Sequence, residues 1–219
     1  MTFSIAARLD GRFGMAVSSS SPAVAARCVH LRPGVGASAS QNVTDPRLGG
    51  RILDGLAVHG DAVRAIHELD APDLDHRQLT AIGTAGPAAW FSGLHTLGTH
   101  GAALGVDCVA AGNLLADDRV PAAMVDAFES ATGELEERML VALQAALRAG
   151  GEAGPVHSAG LAVVADVEWR VTDLRVDWSE SPIDDLAAVL AIWLPQRDDY
   201  VRRGLQPAAA PSYGVPGDR

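Results

Sequence analysis

Met1-Thr2-Phe3-Ser4-Ile5-Ala6-Ala7-Arg8 opens the chain. Phe3, Ile5 and Ala7 alternate with Thr2, Ser4, Ala6 and Arg8, the period of two expected of a strand whose faces differ. The chain is therefore expected to start inside the fold. If Met1 were removed, Thr2 would carry a free α-amine with a pKa of roughly 7.7 to 8.0, able to take the proton from its own hydroxyl. A threonine with an N-terminal amine is one variant of the nucleophile-plus-base arrangement, met by one residue at one position. Position two alone is weak evidence, because Thr, Ser and Ala are ordinary second residues.

Working outward, 219 residues suffice for one sizeable domain with a full core. Residues 1-205 are expected to form that domain, and 206-219, rich in Pro, Ala and Gly, an arm on the surface or across a partner subunit of a homo-oligomer. Hydrophobic residues at 48% and charged residues at 20% are ordinary globular values. A net charge of -10 with no basic run argues against nucleic acid or an anionic membrane as partner. Cys28 and Cys108 lack the paired spacing of a zinc site and read as buried free thiols. Neither a signal peptide nor an 18-residue apolar span is evident, so a cytoplasmic location is expected. No metal or cofactor is expected, since no glycine-rich phosphate loop and no spaced cluster of ligands occurs.

Asp10-Gly11 turns the first strand into a second, Phe13 to Ser18, as a hairpin. Ser18 to Ser21 and Pro22 then read as a loop beside its end. Extended segments are predicted over Ala26 to Leu31 and Val35 to Gln41, and helices over Arg47 to His59 and Asp61 to Leu69, divided by Gly60 with Asp61 as N-cap. Strands follow at Leu79 to Gly83, Ala88 to Ser92 and Val106 to Ala111. A helix opens at Asp118 and Pro121, and a second is capped by Thr132 and ended by Gly150-Gly151. The last strands are Ser158 to Ala165 and Trp169 to Val176, and a helix starts at Ser181-Pro182 and ends near Pro195. Strands that cluster as neighbours with helix pairs between them argue for an α+β fold: a four-layer α-β-β-α sandwich of two antiparallel sheets covered by helices.

The opening octapeptide, Gly14-Met15-Ala16-Val17-Ser18-Ser19, Gly34-Val35-Gly36-Ala37, Ser40-Gln41, Ala111-Gly112-Asn113-Leu114-Leu115 and Asp173-Leu174-Arg175-Val176-Asp177 together resemble a bacterial family, domain of unknown function 1028. That family is grouped with the N-terminal nucleophile hydrolases, and the resemblance runs from about Met1 to Trp193. It implies the sandwich fold and hydrolysis of an amide-like C–N bond by Thr2 after loss of Met1. Many relatives carry lysine at the place of Ser20, whereas this chain contains no lysine, which leaves Arg8 or the serine run, Ser19 and Ser20, as candidates to tune the nucleophile.

Other candidates follow from residue type. Asn113, after a strand and Gly112, offers an amide or backbone N–H to a developing oxyanion; it also suits a left-handed loop position. Gln41 and Asn42 are candidates for binding a small-molecule substrate. His95 and His100 lie in a Gly-rich stretch that suits a loop over a pocket. Asp10, Arg175 and Asp177 suit either a structural charge pair or orientation of the Thr2 amine. The reading is a hydrolase of a small amide or lactam. Alternatives are an imine hydrolase (deaminase) in amino-acid or nitrogen catabolism, and a non-catalytic binding protein that keeps the fold and Met1.

Overall fold

The computed structural model describes residues 1–216; the last three residues of the expected arm, 217–219, lie outside the described residues. β1 (Thr2–Leu9) and β2 (Arg12–Ser19) form the expected hairpin, with left-handed Asp10 and Gly11 at its turn. A short helix α1 (Ala25–Cys28) leads into β3 (Val29–Arg32) and β4 (Gly36–Asn42). The predicted strand over Ala26 to Leu31 thus begins as a helical turn. Ala25 and Cys28, three apart, both face the core, a spacing that one helical turn satisfies and a strand does not.

Then come α2 (Pro46–His59), α3 (Ala62–His67), β5 (Arg77–Gly83) and β6 (Ala89–Ser92). Gly60 ends α2 in the left-handed region at φ 72°, and the Asp61 carboxylate accepts from the N–H groups of Val63 and Arg64. β7 (Gly101–Leu104), not predicted, pairs with β8 (Cys108–Asn113). Gly-Ala-Ala-Leu is too small and too half-exposed to show a strand period. α4 (Val120–Ser130) and α5 (Leu135–Arg148) follow, and the cap of α5 is Glu134, reciprocally bonded with Glu137, rather than Thr132. β9 (Ser158–Val164), β10 (Arg170–Val176) and α6 (Pro182–Trp193) complete the predicted elements. Beyond them lies α7 (Arg197–Leu205), a mostly polar helix without a buried residue and therefore without an apolar stripe to reveal it.

The strands form a six-stranded sheet, β10-β9-β2-β1-β8-β7, and a four-stranded sheet, β3-β4-β5-β6, antiparallel throughout. Three apolar layers hold the stack together. Phe3, Ile5, Leu161 and Val163 pack outward against Met124, Phe128, Met139, Leu143 and Leu186 of α4, α5 and α6. Met15, Val17, Val109 and Ala162 meet Ala37, Ala39 and Ile82 between the sheets. Leu79 and Ala81 pack under Leu48, Ile52 and Leu56 of α2. The order is helix, sheet, sheet, helix: the four-layer α-β-β-α sandwich. β9, apolar on both faces, contributes to two layers at once, which explains its unbroken hydrophobic run.

Candidate active site

Since Phe3, Ile5 and Ala7 face the helices, the pleat turns Thr2, Ser4 and Ala6 into the space between the sheets. Thr2 is 4% exposed and sits at the very start of the strand. On one side it pairs with Asn113 at the end of β8. On the other, the Phe3–Ser18 pairing places Ser19, the last residue of β2, one step further along, beside Thr2. The Thr2 hydroxyl donates to the Met1 carbonyl, and so does Ser19 Oγ, at 2.5 Å. Ser19 Oγ also lies 2.8 Å from Ser21 Oγ and accepts from the Ser21 N–H. The serine run is thus ordered rather than a solvated turn. Ser18 and Ser19 are fully buried, and Ser158 holds the loop by donating to the Ser21 carbonyl at 2.6 Å.

Ahead of Ala6 the space between the sheets is polar. Ser4 Oγ donates to Gln41 Oε1 at 2.7 Å, and Gln41 Nε2 donates to Gln78 Oε1 at 2.8 Å. Gln78 Oε1 also accepts from Asn113 Nδ2 at 3.1 Å, while Gln78 Nε2 donates to Ser92 Oγ and the Gly112 carbonyl. Every one of these side chains is buried except that of Ser92. Buried amides must be paired or they cost about 1 to 3 kcal/mol each, so the chain of bonds fixes the site's geometry. One atom remains unmatched: Asn113 Oδ1 is buried with no partner. Asn113 Nδ2 keeps a second hydrogen beyond the one given to Gln78, since an amide carries two.

A carboxylate closes the site from the front. Leu115 pairs with Glu152, Ala116 donates to the Gly151 carbonyl and Ala153 to the Leu114 carbonyl, so residues 151 to 153 lie alongside the continuation of β8. The Glu152 side chain reaches the continuation of β2, where both its oxygens accept from the Ser20 N–H at 3.1 and 3.2 Å. Glu152 therefore stands between the two strands that flank β1, in the row β1 would fill if it ran on ahead of Thr2. It is 4% exposed. Burial pushes its carboxyl above the usual range, an effect opposed by hydrogen bonding from the Ser20 side chain and N–H, the chain's amino-terminal charge and His157.

Of the residues picked out from the sequence, Thr2, Ser19, Ser20, Gln41 and Asn113 converge here. Ser20 contributes its backbone N–H to both oxygens of Glu152. Arg8 does not converge: it lies at the opposite end of β1, where it ion-pairs with Asp107 at 2.8 Å and donates to the carbonyls of Gly83 and Gly86. Asp177 pairs with Arg175 at 2.8 Å on the exposed face of β10, leaving only its carbonyl to hold Ala23 of the serine loop. Asn42, left-handed at φ 73°, donates to the His76 carbonyl and accepts from the Leu97 N–H, so it anchors the 93–100 segment. His95 is exposed and its ring lies 4.7 Å from that of His76. Gln78 and Glu152 were not foreseen. Gln78 becomes legible only through its register opposite Gln41, and Glu152 lies between two glycine turns with no pattern to mark it.

Cavities lie away from Gln78 and Glu152, among them a polar one lined by Asp73, Asp75, His76 and His95. One of about 370 Å³, lined by Val63, Ile66, Leu74, Trp90 and Phe91, lies on the outer side of the small sheet. Among the described residues, no three of His, Cys, Asp or Glu gather to hold a metal ion, and no helix is long and apolar enough to cross a membrane. Burial, reinforced by Glu129, pushes the Cys108 thiol up to about 12, and burial raises that of Cys28. Both read as inert core thiols.

A family of unknown function, DUF1028, matches residues 2–186, from the Thr2 strand to the first turn and a half of α6. The chain belongs to the DUF1028 family. A crystallised DUF1028 protein of Silicibacter pomeroyi superposes with a TM-score of 0.82 at 27% identity, covering 92% of this chain and 94% of that one. Weaker likenesses are to Thiobacillus denitrificans BPH in complex with epoxomicin, at 13% identity and a TM-score of 0.40 over 73% of this chain and 97% of that one. Anbu, the ancestral beta-subunit, from Yersinia bercovieri reaches 12% identity and 0.37 over 97% and 100%. No curated protein matches the chain. DUF1028 membership covers every element that builds the site, including the Glu152 segment.

Proposed function

We propose that this DUF1028 protein is a hydrolase of a small-molecule C–N bond, an amide or lactam, with Thr2 as nucleophile after removal of Met1. The observation that carries the reading is the placement of Thr2: a buried residue at the first position of a central strand, on the face turned between two sheets, paired with Asn113 and two residues from Ser4, both of which join one buried amide network. Polar groups are costly at such a depth, and their concentration around one hydroxyl marks a place built for chemistry.

In this scheme the α-amine takes the Thr2 proton as Oγ1 attacks the carbonyl carbon. The ammonium so formed returns the proton to the departing nitrogen, the C–N bond breaks, and an ester remains on Thr2. Water, deprotonated by the same amine, then releases the acid and restores the hydroxyl. The second hydrogen of Asn113 Nδ2 serves the oxyanion. Ser19 Oγ, which now donates to the Met1 carbonyl, is left facing the new amine.

The test compares the processed wild type, Thr2→Ala and a form in which Met1 cannot be removed, each against small amides, lactams and imines. Both variants inactive is the expected result. Equal activity in all three overturns the mechanism. Imine turnover that survives Thr2→Ala favours the deaminase reading, in which Thr2 only positions water.

A further inference from the structure

The row ahead of Thr2 is filled by Glu152, whose backbone is paired to Leu115 beside β8 and whose carboxylate is bonded to Ser20 beyond β2. A side chain that spans from one flanking strand to the other passes in front of the strand between them. When Met1 leaves, the first group it uncovers in that row is the α-amine of Thr2. Among the described residues, the other groups bonded or paired around Thr2 bring no carboxylate. The hydroxyls of Ser19 and Ser21 are neutral, and the nearby His157 gives its Nδ1 to the Ser179 carbonyl, with Glu180 at 3.7 Å on its outer side.

We propose that Glu152 is the positioning residue for the Thr2 amine: its carboxylate accepts a hydrogen bond from the amine, holds it toward Oγ1, and stabilises the ammonium that forms when Oγ1 gives up its proton. The role rests on the reading of Thr2 as nucleophile and parallels that of the aspartate in a serine triad, which orients the base and stabilises its charged form without taking the proton. The Ser20 N–H in turn fixes both carboxylate oxygens, so the amine meets a rigid acceptor.

The chain contains no lysine, so its α-amine is the one primary amine present. Amine labelling therefore reports on this group alone, with no need to know the substrate. We would acetylate the wild type and Glu152→Gln with acetic anhydride over a range of pH, strip esters with hydroxylamine, and read the extent by intact mass. The mass first shows whether Met1 is gone; a retained Met1 overturns the Thr2 reading and this inference with it. With Met1 gone, a carboxylate beside the amine keeps it protonated to higher pH. The wild-type midpoint is then expected at least one pH unit above that of Glu152→Gln, which makes labelling about tenfold slower at pH values below both midpoints. In 6 M guanidinium the two should coincide. Equal midpoints in the folded proteins overturn the role of Glu152 and leave Thr2 standing. If Glu152→Gln does not fold, Glu152→Asp, which keeps the charge but withdraws it by one methylene, is expected to lower the midpoint partway, and an unmoved midpoint has the same overturning force.

Discussion

Two groups in the site are in environments they would not choose for stability. Asn113 Oδ1 is buried without a partner, and Glu152 is a buried carboxylate whose proton affinity is raised chiefly by desolvation. For Glu152 the sign follows directly. Its folded-state affinity lies above the unfolded one, near 4.3, so the folded protein binds more protons in that window, and stability is lost as pH rises through it. Urea titrations from pH 4 upward should show the wild type losing stability relative to Glu152→Gln, which keeps an acceptor for Ser20 while the other carboxylates contribute alike to both. A parallel decline in both would contradict this. For Asn113, replacement by alanine is expected to lower kcat by about 10² to 10³-fold, the roughly 2.7 to 4 kcal/mol of one oxyanion donor, with KM little changed. A pure KM effect would assign Asn113 to substrate binding. Gln41 and Asn113 are legible from residue type at strand ends, and Thr2 and Ser19 chiefly from the family resemblance, since position two or a serine run alone does not carry them. Arg8 and Asp177 were misplaced because position along a strand decides reach: six residues of β1 separate Arg8 from Thr2, about 20 Å at a strand's rise.

Among the elements, α5 carries the heaviest electrostatic load. Glu136 on its first turn is fully buried, where it accepts from Thr172 at 2.8 Å and from Arg197 at 3.0 Å, with Arg12 at 3.6 Å. Trp193 Nε1 donates to the same Thr172 hydroxyl. One carboxylate thus ties α5 to β2, β10, α6 and α7. Glu136→Ala leaves Arg12 and Arg197 with Glu134, and Arg197 with Asp198, as remaining partners. The expected loss is therefore that of charged hydrogen bonds, about 1.5 to 3 kcal/mol in urea unfolding, with α7 released first to proteolysis. A loss below about 1 kcal/mol would show that the arginines find water. The sequence shows Glu136 only as an acidic residue near a helix start, a place favoured by the dipole. Its burial depends on α7, which no hydrophobic period announces. At Gly14 a Cβ would meet Met139 Cε at 2.5 Å and Leu135 Cδ2 at 3.1 Å, so the side chains of α5 fill the space over β2 that the glycine leaves.

For the molecule as a whole, the C-terminal arm engages its own chain. Arg203 lies 4.9 Å from the Tyr200 ring centroid and 4.1 Å from that of Tyr213, and donates to the carbonyls of Pro211 and Ser212. Such contacts are worth about 0.5 to 1 kcal/mol when exposed. Ending the chain at Leu205 is therefore expected to leave its thermal unfolding almost unchanged if these contacts are all the arm makes. A smaller assembly in light scattering is expected if the arm also crosses to a partner subunit; an unchanged one would count against that role. The sandwich itself was readable from order alone, since clustered strands with helix pairs between them leave few ways to bury every apolar face. Strand period, turn dipeptides and caps determined which residues form elements and that Thr2 begins one. Which ends of which strands meet was decided by pairing: the β1–β8 and β1–β2 registers bring Asn113 and Ser19 to Thr2, and a segment that follows α5 lays Glu152 across the front. The Asp10-Gly11 turn announces the β1–β2 pairing, but Thr2–Asn113 and Ser20–Glu152 join residues more than a hundred positions apart. Ladder bonds that almost every residue type can make leave no pattern in the sequence to record the β1–β8 register.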